Sequence, residues 1–231
     1  MIKLGKGLIV SCQAEEGSPF NSRQFIAAFA VAAELGGAIA VRVRDPENVA
    51  AVKMATRLPI IGLTKASYPD GNVLITPSIG DVQALVDAGA DFVAVDATNR
   101  NRPDGIAGPE FLRFVKSKIA KPVIADISNL DEALVAVDAG ADYVATTLSG
   151  YTGKSDSPKD EPDFELVRSV SARTRTPVIA EGRVWTPEQA REVLESGAHA
   201  VCVGTAITRP VAVIARFVKA LSVNRPAEAT R

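Results

Sequence analysis

Three polar residues stand at matching places in a repeated apolar stretch. LPIIGLTK (residues 58–65), KPVIADIS (121–128) and PVIAEGRV (177–184) share a proline, a run of buried-strand type and a polar end. Aligned on Pro59, Pro122 and Pro177, Asp126 and Glu181 fall four residues on and Lys65 six residues on. Even offsets put all three side chains on one face of an extended chain. An acid or amine at the end of a buried strand is costly unless it has a partner or a task. A lysine grouped with two carboxylates suits proton transfer at carbon, or a Schiff base to a carbonyl. The plainer alternative is a structural ion pair, with Glu181 or Asp126 answering Lys65 or Arg42.

These stretches alternate with a glycine-led repeat. VQALVDAGADFVAVDAT (82–98), EALVAVDAGADYVATTL (132–148) and AREVLESGAHAVCVGTA (190–206) superimpose on their glycines. Strands are predicted at Gly7–Gln13, Ala38–Val43, Pro59–Lys65, Phe92–Thr98, Pro122–Ile127, Tyr143–Leu148, the Pro177 stretch and Ala200–Val203. Helical patterns separate them, and a small extra strand is predicted at Val73–Thr76. Asn21 and Gln24 are candidate caps for the first helix, Asp45 for the helix opened by Pro46, and Thr186-Pro187-Glu188-Gln189 reads as a capping box. Continuous Val/Ile/Ala strands are those of a sheet covered on both faces. Eight such strands with right-handed helical crossovers close into a (β/α)8 TIM barrel of the α/β class, with a small inserted strand after strand three. An open doubly wound sheet does not predict the fourfold repeat. One domain is expected over residues 1–221, followed by a flexible C-terminal tail, 222–231.

A barrel places its chemistry at the carboxyl ends of its strands. The polar residues there are Gln13, Arg42, Lys65, Asp96, Asp126, Thr147, Glu181 and the Gly204-Thr205 turn. Arg42 competes with Arg44, which has Asp45 to answer. Asp96 suits a helix cap or an anchor for the Arg100/Arg102 loop as well as it suits substrate. His199, at the amino end of its strand, and Trp185, beside the capping box, read as structural. Gly182-Arg183 and Gly204-Thr205, in matching turns, offer backbone N–H groups as a phosphate cradle, the plain alternative being tight turns. The loop SGYTGKSDSPKDEPD after strand six is the longest polar segment. Its residues 149–162 form a candidate lid, and Tyr151 within it is a candidate substrate contact. No His, Cys or carboxylate cluster has metal-ligand spacing, and no GxGxxG follows strand one. The expected chemistry is acid–base or Schiff-base work on a phosphorylated small molecule.

Composition narrows the rest. A chain of 231 residues, 47% hydrophobic, with a formal net charge of −1, can bury one large core. Its basic residues are scattered, giving no electrostatic case for nucleic acid or an anionic membrane. The apolar run Leu8–Val10 is too short for a signal core, and Phe25–Ala33 too short to span a bilayer. A cytoplasmic location is expected. Cys12 and Cys202 read as buried free thiols in a reducing compartment. Val211, Ile214 and Val218 on the last helix could serve a homodimer.

LIVSCQA, GGAIAVRV, LPIIGLTKASYPD, VLITPS, VAVDATNR, ADIS, TTLSGYTG, PVIAEGRVWTPE and VGTAITRP together resemble the bacterial N-acetylmannosamine-6-phosphate 2-epimerases, from about residue 7 to residue 220. The resemblance implies a ribulose-phosphate-binding barrel. It also implies an isomerase that interconverts N-acetylmannosamine 6-phosphate and N-acetylglucosamine 6-phosphate in sialic acid catabolism, without metal or other cofactor. The family's lysine falls on Lys65 and its glutamate on Glu181. Its supporting glutamine, arginine, aspartate and C-terminal arginine fall on Gln13, Arg42, Asp126 and Arg209. The residues suit that reaction, because C2 of the open-chain sugar is α to the C1 aldehyde and its proton can be removed by a base with a pKa near working pH. Lysine reaches that range by desolvation or cationic neighbours. Arg42 pushes Lys65 that way, Asp126 and Glu181 push it back, and burial must decide. The rivals are a class I aldolase with a Schiff base on Lys65, and a non-catalytic phosphosugar-binding barrel.

Overall fold

Apolar strand and amphipathic helix alternate until the sheet meets itself. The computed structural model describes residues 2–68, 73–100, 102, 105–152 and 160–222. Strand β1 (Gly7–Cys12) is followed by α1 (Arg23–Leu35), β2 (Ala40–Arg44), α2 (Pro46–Ala55) and β3 (Ile60–Leu63). A hairpin of β4 (Lys65–Ser67) and β5 (Val73–Ile75) comes next, then α3 (Ile79–Asp87) and β6 (Phe92–Asp96). Beyond lie α4 (Gly108–Lys118), β7 (Val123–Asp126), α5 (Leu130–Asp138), β8 (Tyr143–Ala145) and α6 (Phe164–Arg173). The chain finishes with β9 (Val178–Glu181), α7 (Pro187–Glu195), β10 (Ala200–Val203), a short α8 (Thr205–Thr208) and α9 (Pro210–Ser222). Strands β1, β2, β3, β6, β7, β8, β9 and β10 close a parallel barrel in that order, with β10 pairing back onto β1. This is the (β/α)8 barrel, with its small addition after the third strand.

The two-residue period sorts each strand. Ile9, Ala40, Ile61, Phe92, Ile124, Ile179 and Ala200 form one cluster inside the ring. Their neighbours Val10, Val41, Val93, Val123 and Val178 belong to the layer under the helices. Continued by two residues, five of these seven become Ser11, Arg42, Asp126, Glu181 and Cys202, while Leu63 and Ala94 stay apolar, so the polar residues stand on top of an apolar plug.

At the opposite end the repeats carry a repeated job. Asp91 accepts hydrogen bonds from Ile60 N–H and Lys53 Nζ, and Asp142 accepts them from Val123 N–H and Lys116 Nζ. His199 holds the matching place in the third repeat, its Nε2 lying 2.9 Å from Leu4 C=O, and is structural as expected.

Several boundaries differ from expectation. The third strand stops at Leu63, because Thr64 leaves the ladder: its N–H donates to Thr76 Oγ1 at 3.1 Å and its C=O accepts from Thr76 N–H at 3.0 Å. Lys65 therefore begins the antiparallel hairpin, paired with Ile75, rather than ending a barrel strand. The sixth strand ends at Ala145, and Ser149 N–H bonds back to Thr146 C=O in a turn. Ser22, not Asn21, caps α1, accepting from Phe25 N–H. Asp45 caps nothing: at φ 73° its carboxylate turns to Arg44 Nε, 3.0 Å away. A capping box formed by Ser78 and Asp81 opens α3. Thr186 caps α7, while Gln189 accepts from Trp185 N–H, one residue before the cap. Part of the candidate lid (153–159) and of the C-terminal tail (223–231) lie outside the described residues.

Helix α9 has no buried residue, and Val211, Ile214, Phe217, Val218 and Leu221 are exposed along it. Beside it is an apolar groove of about 510 Å³, walled by Leu8, Val201, Val203, Ala190, Leu194 and Ile207. Among the described residues no helix is long and apolar enough to cross a membrane.

Candidate active site

The floor of the site is a buried charge cluster. Strand β2 delivers Arg42, β7 delivers Asp126 and β9 delivers Glu181, all to the inside of the ring. The Arg42 guanidinium donates to both Asp126 oxygens, Nη1 to Oδ1 at 3.1 Å and Nη2 to Oδ2 at 2.6 Å. Its Nη1 is also 3.1 Å from Glu181 Oε2. Thr147 Oγ1 donates to Asp126 Oδ1 at 2.6 Å. Arg42 and Asp126 are almost wholly shielded from solvent, at 2% and 0% exposure, whereas Glu181 keeps 14%. Burial works against the Arg42 cation, but Asp126 and Glu181 overcome it and hold the guanidinium protonated. Burial likewise pushes the Asp126 carboxyl up, against the pull of Arg42. Such a cluster is fixed in place, since separating either partner leaves a bare charge in the core.

Above the floor, the hairpin reaches over with Lys65. Its amine makes no hydrogen bond or ion pair with any described residue. Part of the side chain stays open to the cavity, yet crowding strips enough hydration to act first on its pKa. The Arg209 and Arg42 cations act the same way, Glu181 opposes them, and the net result is a pKa lowered to about 8. That is the displacement a lysine needs to serve as a base near neutral pH.

A cavity of about 450 Å³ opens over these groups. Lys65, Glu181, Gln13, Thr147, Tyr151 and Arg209 line it, together with Gly182, Arg183, Gly204 and Thr205. Arg42 and Asp126 lie beneath rather than on its wall. Gln13 Nε2 donates to Ser11 Oγ at 2.7 Å, leaving a buried Oε1 with no hydrogen-bond partner among the described residues. Gly182, at φ 117°, makes a turn that a side chain would strain, and Arg183 follows at φ 57°. The Arg183 guanidinium donates to Ser149 C=O at 2.6 Å and Glu161 C=O at 2.7 Å, so it braces the loop after β8. A Cβ on Gly204 would come 3.2 Å from Ser11 Cβ, which keeps that turn tight against β1.

Other residues are taken up by local contacts, although Arg100 among them also lines the cavity. Asp96 pairs with Arg100 and accepts from Thr98 Oγ1 at 2.6 Å, and its C=O takes Arg102, so it anchors that loop. Arg44 is spent on Asp45. Cys12, pushed up to about 12 by burial, is inert. Three residues escape sequence reasoning. Cys202, buried with its thiol pKa raised well above the usual range, lines the cavity in register with Glu181. Thr208 donates to Ser11 C=O at 2.7 Å. Trp185, expected as a packing residue, lines both the cavity and the apolar groove, with Arg216 of α9 4.3 Å above its ring. Only the parity of Cys202 with Glu181 was available as a signal. Among the described residues no group of three or more His, Cys, Asp or Glu is arranged to hold a metal ion.

Comparison with known proteins places this geometry. A family model, NanE, described as "Putative N-acetylmannosamine-6-phosphate epimerase", matches residues 26–223. A "Putative N-acetylmannosamine-6-phosphate 2-epimerase" of Caldanaerobacter subterraneus subsp. tengcongensis is 47% identical over 225 residues, covering 96% of this chain and 94% of the relative. One of the same description from Clostridioides difficile is 42% identical over 217 residues, covering 94% and 96%. The solved structure of the N-acetylmannosamine-6-phosphate 2-epimerase from Clostridium perfringens superimposes with a TM-score of 0.87 at 39% identity, over 92% of each chain.

Proposed function

Because the chain belongs to the NanE family of N-acetylmannosamine-6-phosphate epimerases, we infer that it interconverts N-acetylmannosamine 6-phosphate and N-acetylglucosamine 6-phosphate, a step in sialic acid catabolism. The observation that carries the residue assignment is Lys65: an amine with no partner among the described residues and a pKa lowered to about 8, facing a cavity beside Glu181.

In the proposed mechanism Lys65 removes the C2 proton of the open-chain sugar, and the electron pair moves onto the C1 carbonyl oxygen as an enolate. Return of a proton to the opposite face of C2 inverts it. Glu181, steadied by Arg42, serves ring opening or acts as the second acid/base. Asp126 holds Arg42, whose charge offsets the developing negative charge. Gln13 Oε1 accepts from the sugar, and Tyr151 and Arg209 close its sides. Backbone N–H groups around Gly182, Arg183, Gly204 and Thr205 cradle the phosphate. A proton NMR time course on N-acetylmannosamine 6-phosphate in D₂O tests this. A new anomeric signal with deuterium at C2 is expected, and both disappear in Lys65→Met. Normal turnover by that variant removes Lys65 from the reaction. Borohydride trapping of substrate on Lys65 would point instead to a covalent aldolase route.

The bare face of α9 supports a homodimer. Its five apolar side chains and the adjoining groove are complementary in character, and a second copy supplies the matching surface. The metabolic substrate supports a cytoplasmic setting, and the closed barrel supports one domain through α9.

A further inference from the structure

Glu15 lies just beyond β1 and Gln13, in a turn closed by a hydrogen bond from Ser18 N–H to Glu15 C=O at 3.1 Å. Nothing above gives its side chain a task. Its carboxylate faces Arg209, with Oε1 3.6 Å from Nε. That is the one ion pair Arg209 makes among the described residues, and no hydrogen bond from its side chain accompanies it. Each side chain also holds a buried atom with no hydrogen-bond partner among the described residues, Nε on Arg209 and Oε2 on Glu15.

The backbone under the pair is built to hold it. Thr208 is fully buried, and its hydroxyl donates to Ser11 C=O at 2.7 Å. The residue before Arg209 is thereby latched to the strand whose continuation carries Glu15. A guanidinium has two separate donor faces, the Nε edge and the terminal fork, and a planar fork suits an oxyanion. A carboxylate on the Nε edge leaves the fork for the cavity that Arg209 lines.

We propose that Glu15 is a positioning residue, which holds Arg209 by its Nε edge so that the fork meets an oxyanion group of the bound sugar phosphate. The proposal rests on the phosphorylated-sugar reading above. The present 3.6 Å separation exceeds the roughly 2.7–2.9 Å of a charge-assisted hydrogen bond. The pair therefore has room to tighten when an anion takes the fork. Arg209 is also the leading cation that lowers the Lys65 pKa, so losing its position is felt at the base as well.

The test compares Glu15→Gln, Glu15→Asp and Arg209→Ala in the full chain, with inorganic phosphate as a competitive inhibitor and turnover followed across pH. In Glu15→Gln, KM and the phosphate inhibition constant should each rise about two- to tenfold, the worth of one such contact, while kcat at high pH changes little. The acidic limb should move to higher pH as Arg209 drifts from Lys65. Glu15→Asp, which keeps the charge, should fall between the two. A raised KM in Arg209→Ala with an unmoved KM, inhibition constant and limb in Glu15→Gln overturns the positioning role alone. An unmoved KM in Arg209→Ala overturns the part assigned to the arginine. Thermal melting separates either result from misfolding.

Discussion

Arg42, Asp126, Glu181 and Lys65 form the charged centre of the site, with Arg209 beside them, and their arrangement sets its response to pH. With a pKa lowered to about 8, Lys65 is neutral in about one molecule in ten at pH 7, against about three in ten thousand at an ordinary lysine value. A base works when deprotonated, so kcat/KM should rise with pH through about 8 and level off above it. A limb that persists to about pH 10.4, the unperturbed lysine range, would show that crowding does not tune the amine. The floor responds differently. Arg42→Met strands two carboxylates in the interior and should cost about 3–5 kcal/mol in urea unfolding. Asp126→Asn leaves Arg42 with Glu181 and should cost less, so the order of the two midpoints is the measurement. Asp126 and Glu181 were legible because proline-led strands put them at matching offsets, whereas Lys65, read by the same parity, reaches the cavity from the hairpin instead. Glu15, Cys202 and Thr208 were not, because what they touch lies about two hundred residues away or on a neighbouring strand. The Arg183 side chain was also hidden, since no pattern says that a guanidinium will choose carbonyls.

At the level of elements, close approaches of backbone decide what the sequence can vary. Helix α4 starts so near the end of β6 that a Cβ on Gly108 would lie 2.3 Å from Thr98 C=O. Backbone cannot yield as a side chain tip does, so Gly108→Ala should lower the melting temperature markedly or prevent folding, and unchanged melting would refute the tight junction. The hairpin is the second such place. Thr76, fully buried at φ 47°, is a β-branched residue in a region such residues avoid, held there by its two hydrogen bonds with Thr64. Thr76→Val removes the hydroxyl and leaves Thr64 N–H unpaired, at about 1–3 kcal/mol. Because Lys65 follows Thr64 directly, kcat should fall more than stability explains, and a kcat that tracks the folded fraction would refute the link. Helix and strand order followed from the glycine-led and proline-led repeats. Strand ends did not, because hydrogen bonding at Thr64 and Thr146 depends on partners that periodicity does not name, and Ser78 with Asp81 was simply unread.

On the scale of the molecule the barrel closes on itself, yet α9 buries none of its own residues. In a fold where each helix shields its strand, an apolar groove left beside a bare apolar helix is unfinished surface. Sedimentation should give twice the chain mass, and Ile214→Glu with Phe217→Glu should give the monomer. A monomeric unaltered chain would refute the pairing. Eightfold alternation was readable from sequence alone; the bareness of α9 was only hinted at by Val211, Ile214 and Val218, since exposure is a property of the assembled surface. The chain carries a single tryptophan, and it is Trp185, set between cavity and groove under Arg216. Its emission is therefore a native optical probe with no competing indole. Sugar phosphate entering from one side and a second chain settling on the other should each change the colour and intensity of the same fluorophore, so one unlabelled titration can follow both events.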